Sequence, residues 1–302
     1  MTIGDNPLGT VEDLFDRIAE ESSGKHDPIV PGYPGLAAAT GGMRPGEITV
    51  IAGGEGGGKS YYLMNLLLSA HNSGVSWQYM PLEDTARDAL ARMVGINANT
   101  WAMTEMGRQT AVRRMETLRE HYTLASSLSS HIAANPRNIG RDGSTPDLPW
   151  GDVIAYISEA SKRNRIIAVD PITMIDFDRE TAGDRARTEW EGQQAFVKRA
   201  AAIVSATDCH LIMVLHLTKD GAAIQGSTAF TRFVHNVFIW RAHDTENNMV
   251  SQNGMRSCID HRRTLDVRKV RNGRGAGLRL AYDFYERGPC ICEHGVIIKE
   301  SR

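Results

Sequence analysis

Ile48-Thr-Val-Ile-Ala52 runs directly into Gly53-Gly-Glu-Gly-Gly-Gly58-Lys59-Ser60, and a helix-patterned stretch follows to about Asn72. The eight residues from Gly53 fit G-x-x-x-x-G-K-[ST], set between a buried strand and a helix as that motif requires. Its glycines let successive N–H groups turn toward one point without Cβ clashes. A helix that begins after Gly58 adds partial positive charge at the same point. Lys59 supplies a full charge for β- and γ-phosphates, and Ser60 a hydroxyl for a divalent cation. The stretch reads as a triphosphate cradle made by Gly53, Gly54, Glu55, Gly56, Gly57, Gly58, Lys59 and Ser60, with Tyr61 beside it. ATP or another NTP, with Mg2+, is the expected ligand.

Outward from the cradle, strands and helices alternate. Strands are expected at Val75–Met80, Ile166–Val169 and Leu211–Leu215, with a short one at His131–Ala134. Helices are expected near 85–94, 109–120, 150–162 and 189–206, and residues 135–149 read as a loop. Continuous Ile/Val/Leu strands between helices imply an α/β fold with a mostly parallel sheet covered on both faces. After residue 233 the pattern turns to strands alone: Val237–Trp240, Thr264–Val270 and Leu278–Phe284. Asn272-Gly273 is a hairpin signal between the last two. At the N-terminus Val11, Leu14, Phe15 and Ile18 form one apolar stripe on a short helix, followed by a Pro/Gly-rich tether. Residues 1–30 therefore read as an arm and linker, and 31–302 as one folded unit. So short a helix is not stable alone and must dock, either on its own domain or on a neighbouring copy.

Composition narrows the class. The 302 residues carry 34 basic and 36 acidic side chains, for a net charge of −2, and 41% are apolar. No run approaches the roughly 18 apolar residues of a membrane helix. Four Cys are too few for a disulfide scaffold. The opening residues lack the basic end and apolar stretch of a signal peptide. A cytoplasmic folded protein is expected, without a charge-driven nucleic-acid tail but with room for a local basic site.

Hydrolysis needs carboxylates as well as a phosphate cradle. Asp170 closes the strand Ile166–Val169, where it can hold the metal directly or through water. Glu83 follows the second strand in Met80-Pro-Leu-Glu-Asp84, at the carboxyl edge of a parallel sheet that faces the ligand crevice. That position suits a general base for water.

The stretch Gly35-Leu-Ala-Ala-Ala-Thr-Gly-Gly-Met-Arg-Pro-Gly-Glu47 leading into the cradle, Leu82-Glu83, Val169-Asp170, Leu215-His216-Leu217 with Gly226-Ser227-Thr228-Ala229, and Val267-Arg-Lys269-Val-Arg271-Asn-Gly273 come in one order. Together they resemble the RecA-like ATPase domain of DnaB-like hexameric replicative helicases, including the helicase half of phage primase–helicases. The resemblance covers about residues 31–285. It implies a RecA-like P-loop NTPase core with C-terminal antiparallel strands. Glu83 would be the catalytic base, Asp170 the Mg2+ carboxylate and His216 a γ-phosphate sensor. Lys269 and Arg271 would be a basic pair reaching the nucleotide of the adjacent subunit. Arg241 and Tyr282 resemble adenine-side contacts. Single-stranded DNA would be held by two loops facing a ring centre: Thr173–Thr188, with Arg179, Arg185 and Arg187, and Thr218–Thr231, with Lys219, Gly221, Gly226 and Ser227. A homohexameric ring in a bacterial or phage setting, with a separate primase or other replisome protein, completes the expectation.

The chain departs from that family in having no primase domain, no primase-type zinc motif and no helical N-terminal domain beyond the arm. Cys258, His261, Cys290, Cys292 and His294 lack paired C-x2–4-C spacing and read as packing or free thiols. Two other functions stay open on the residues: a filament-forming recombinase of the same fold, and a nucleotide-binding adaptor or loader with slow hydrolysis.

Overall fold

Four short apolar strands, β1 (Ile48–Gly53), β2 (Trp77–Pro81), β3 (Ile166–Asp170) and β4 (His210–His216), lie side by side in the computed structural model of the chain. The described residues are 15, 19, 28, 29, 32–105, 108–134, 148–180, 188–218, 221, 223, 224 and 229–298. They build one eight-stranded sheet of order β2-β3-β4-β1-β5-β6-β7-β8, completed by β5 (Asn236–Gln252), β6 (Met255–Val270), β7 (Arg279–Phe284) and β8 (Ile291–Ile297). All pairings from β2 through to β5 are parallel. Those from β5 to β8 are antiparallel. β8 also returns to β5 through Val250↔Ile297, so the last four strands curl on themselves.

Burial explains the parallel half. Ile51, Ala168, Ile212 and Val214 point into a core shared with α2 (Lys59–Asn72), α3 (Ala86–Asn97) and α5 (Tyr122–Ser129), which follow α1 (Pro34–Thr40) and flank α4 (Arg108–Glu120). Ile48, Val50, Ile167 and Val169 point the other way, toward α6 (Trp150–Ala160) and α7 (Glu189–Ala206). With both faces covered, most strand positions select an apolar side chain, Thr49, Asp170 and His210 being buried polar exceptions. Local signals set the helix starts: Thr85 caps α3 by accepting from Asp88 N, and Thr188 with Glu191 forms a capping box for α7.

The mixed sheet and its antiparallel end agree with the sequence reading, but five elements differ. β5 and β6 are far longer than expected and form a ribbon around Asn253-Gly254, both at positive φ (51° and 81°). That dipeptide is the two-residue turn signal, hidden by the polarity of the ribbon's outer half. β8 and α1 were not anticipated. The short strand expected at His131–Ala134 is a single bridge, Tyr79↔Ile132. Val11, Leu14 and Ile18 of the arm, and 135–147 of the loop, lie outside the described residues; Phe15 is helical and exposed. No helix among the described residues is long and apolar enough to cross a membrane.

Candidate nucleotide site

Gly53 ends β1 between His216, the last residue of β4, and Trp240 of β5. The sheet therefore delivers the phosphate loop and His216 to the same edge. A Cβ on Gly53 would stand 2.6 Å from Trp240 O, and one on Gly58 (φ 92°) would strike the Phe284 ring at 2.9 Å. Trp240 Nε1 donates to Gly57 O at 2.7 Å and pins the loop to β5. Lys59 is buried, and its ammonium donates to Gly54 O (2.7 Å) and to His216 Nδ1 (3.3 Å). An ammonium cannot accept, so that His216 nitrogen is the acceptor and the ring is neutral. Burial, and then the Lys59 charge, lower the His216 pKa in the same sense. Burial also lowers that of Lys59, opposed by Asp170, Glu83 and Glu55.

Asp170 is the second buried charge. Burial raises its carboxyl to about 6, against hydrogen bonds from Ser60 and Tyr79 and the Lys59 charge. Leu82 N donates to Asp170 O (2.7 Å), which ties the segment carrying Glu83 to the end of β3. Glu83, exposed, and Asp84, paired to Arg92 at 2.5 and 2.9 Å, line one cavity of about 300 Å3 with Glu55, Lys59, Ser60, Tyr61, Asp170 and His216. Burial raises the Asp84 pKa, Arg92 opposing it. A buried ammonium and a buried carboxylate side by side, under a loop that requires glycine at positions 53 and 58, suit an anion with a divalent cation. When bound, such a cation withdraws charge from phosphoryl oxygens. Lys59 and the loop amides would hold the phosphates, Ser60 and Asp170 the metal, and Glu83 a water. Tyr61 of that lining meets Trp101 and Phe284, and these meet each other, edge to face at 5.5–5.9 Å, with Arg92 over Tyr61 and Arg263 over Phe284. No local motif in the sequence marks Trp101, Phe284 or Arg92.

Tyr282 corrects the sequence reading. It has no exposed surface, meets Tyr33 and Tyr62 edge to face and Trp240 at a tilt, and donates to Glu293 Oε2 at 2.7 Å. It is a core residue and has no face to offer a base. The Arg241 guanidinium is bound to Asp266 (3.1 Å), which Arg279 also holds (3.0 Å).

Lys269 and Arg271 lie at the opposite edge of the sheet. Gly53 pairs with Trp240, and Trp240 with Leu265, whereas Thr49 pairs with Asn236, and Asn236 with Val270. Four residues separate those registers, about 13 Å of strand, and the loop extends further away. Arg271 is exposed. Lys269 Nζ donates to Val234 O (2.6 Å) and Arg232 O (3.4 Å), just past α8 (Ala229–Arg232). Burial and the Arg271 charge lower the Lys269 pKa. Under the pair runs a polar chain, buried except at Asn272. His210 Nδ1 contacts Arg44 O (2.8 Å) and its Nε2 contacts Thr49 Oγ1 (2.9 Å). Asn236 donates to Thr49 (3.1 Å) and Glu47 (3.0 Å), and Asn272 donates to Glu47.

Of the expected DNA contacts, Lys219, Gly226, Ser227, Arg185 and Arg187 lie outside the described residues. Gly221 closes a turn, donating to Thr218 O at 2.7 Å. The start of the other loop is packed inward, with Ile172, Ile175 and Phe177 buried.

The pattern of the AAA domain family (AAA_25) matches residues 35–222, more than half of the chain. No curated protein matches. Among solved structures, one described as an ATPase domain is similar at 12% identity and TM-score 0.64, over 97% of this chain and 99% of that one. A DnaB-like replicative helicase, described with its interactions with primase, is similar at 13% identity and TM-score 0.66, over 96% and 68%. The KaiC-like protein PH0186 of Pyrococcus horikoshii OT3 is similar at 16% identity and TM-score 0.55, over 89% and 99%. The fold is RecA-like, the one shared with these structures.

Proposed function

The chain belongs to the AAA domain family, and from that premise we propose that it is an ATP-driven, ring-forming DNA helicase motor that moves along single-stranded DNA. ATP binds with Mg2+ between two copies. One copy contributes Lys59, Ser60, Glu83, Asp170 and His216; its neighbour contributes Lys269 and Arg271. Glu83 takes the proton of the attacking water, and Arg271 stabilises charge on the transferring phosphoryl group. Tyr61, Trp101 and Phe284 take the base in place of Tyr282. The loops that follow Asp170 and His216 meet DNA, and a separate primase or another replisome protein completes the machine.

The observation that carries this reading is the separation of the basic pair from its own phosphate loop by the depth of the sheet. The one guanidinium among the described lining residues of that cavity, Arg92, is bound to Asp84. A mixing experiment tests it. Lys59→Ala keeps the basic pair without a working loop, and Arg271→Ala keeps the loop without its partner. Each variant alone turns over ATP at background on single-stranded DNA; mixed, they recover part of the wild-type rate. No recovery, with mixed oligomers present by light scattering, rules out a shared site. Helical filaments in electron micrographs, in place of rings, assign the same chemistry to a recombinase.

A further inference from the structure

Tyr79 is the middle residue of β2 and is almost wholly buried (1% exposed). Its hydroxyl donates to Asp170 Oδ2 at 3.1 Å. The strand register explains how it reaches. Tyr79 pairs with Ala168, so their side chains share a sheet face, and Asp170, two residues on, shares it too. Two residues along a strand span about 6.6 Å, roughly the length of a tyrosine from Cα to hydroxyl. Ala168 leaves the ring room to lie along the strand, and an aliphatic side chain would end short of the carboxylate. A buried hydroxyl without a partner is costly, so the bond fixes both groups. With Oδ2 committed to Tyr79, Asp170 cannot turn about its last torsion without breaking a bond in the core.

We propose that Tyr79 is a positioning residue for the metal site: its hydroxyl sets the rotation of the Asp170 carboxylate, so that the carboxylate and Ser60 present oxygens to a divalent cation together. This rests on the reading of Asp170 as the metal carboxylate. Groups that orient a metal ligand typically change metal affinity about 10–100-fold when removed.

The test uses the full chain, a fluorescent ATP analogue and a Mg2+ titration of its binding. Tyr79→Phe retains the ring and the packing, so folding is checked by an unchanged circular dichroism spectrum. Its half-saturating Mg2+ concentration rises about tenfold, while nucleotide binding in EDTA is unchanged. In an Asp170→Asn background, where Mg2+ no longer strengthens binding, adding Tyr79→Phe changes nothing further. A Mg2+ requirement within twofold of wild type in Tyr79→Phe, with the effect of Asp170→Asn intact, overturns the positioning role alone. Wild-type Mg2+ dependence in Asp170→Asn overturns the metal reading and the positioning role with it.

Discussion

The two edges of the parallel sheet have opposite characters. At the carboxyl edge a cation and an anion, Lys59 and Asp170, are both buried within one cavity, with Ser60, Glu83 and His216 around them. At the amino edge two cations, Lys269 and Arg271, stand over a hydrogen-bonded chain that contains one buried acid, Glu47, and Lys269 bonds backbone carbonyls. The first edge gathers residues suited to a metal and a phosphate chain. The second presents positive charge whose own phosphate loop is out of reach. Under the proposed reading, the difference teaches that half-sites can be fixed by strand register alone: the ends of β1, β4 and β5 place one, and the reversal of β6 places the other.

The sharpest way to break that comparison is Arg271→Ala. Under the proposed reading turnover falls about a thousandfold or more, while binding of a fluorescent nucleotide stays within a few-fold. Loss of binding in proportion to turnover would assign Arg271 to its own edge.

The amino edge has a pH signature of its own. Burial lowers His210 to about 4 from its ordinary 6.5. Its Nδ1 faces a carbonyl, so the neutral ring donates there and accepts from Thr49 at Nε2. The unfolded chain takes up a proton at His210 below about 6.5, and the folded chain only near 4. The stability from neutral His210 is therefore full above pH 6.5 and lost as pH falls toward 4, by on the order of 3 kcal/mol. Urea unfolding from pH 7 to 4 checks this: His210→Gln is less stable at pH 7 and shows a shallower decline. Equal slopes would mean that the ring is protonated within the fold.

At the carboxyl edge, Phe284 and Tyr282 share one face of β7 but sit at different depths. Phe284→Ala weakens nucleotide binding by about 1–3 kcal/mol through lost stacking. Tyr282→Phe leaves binding unchanged and lowers stability by about 1–3 kcal/mol, because the buried Glu293 loses a donor. Binding titrations beside thermal melts separate the two, and a reversal would restore Tyr282 to the base.

Those depths mark the limit of sequence reading. β1, β3 and β4 were legible because burial on both faces writes a continuous apolar run, and the loop was legible because its spacing is dictated by phosphate geometry. The Tyr282 expectation rested on order along the chain, which does not fix distance from the sheet edge, and Tyr282 lies in the core. The bond from Tyr79 to Asp170 joins residues 91 apart in the chain, and only register brings them together. The β5–β6 ribbon was missed although Asn253-Gly254 marks its turn, because its outer half faces solvent and lacks the alternation that betrays a half-buried strand.

Arg241 gives the smallest expected effect. Its guanidinium shares Asp266 with Arg279 and, at 3.5 Å, with Arg268, and Asp266 is buried. Arg241→Ala leaves that carboxylate with two cationic partners, so stability falls by about 1 kcal/mol or less. Nucleotide affinity stays within about twofold, because a side chain already bound to a buried acid gives up that bond if it turns to a base. Isothermal titration with an ATP analogue measures the affinity directly. A tenfold loss would mean that Arg241 leaves Asp266 when nucleotide binds. The carboxyl edge would then be completed by its ligand, and the contrast with the amino edge would narrow to the basic pair alone.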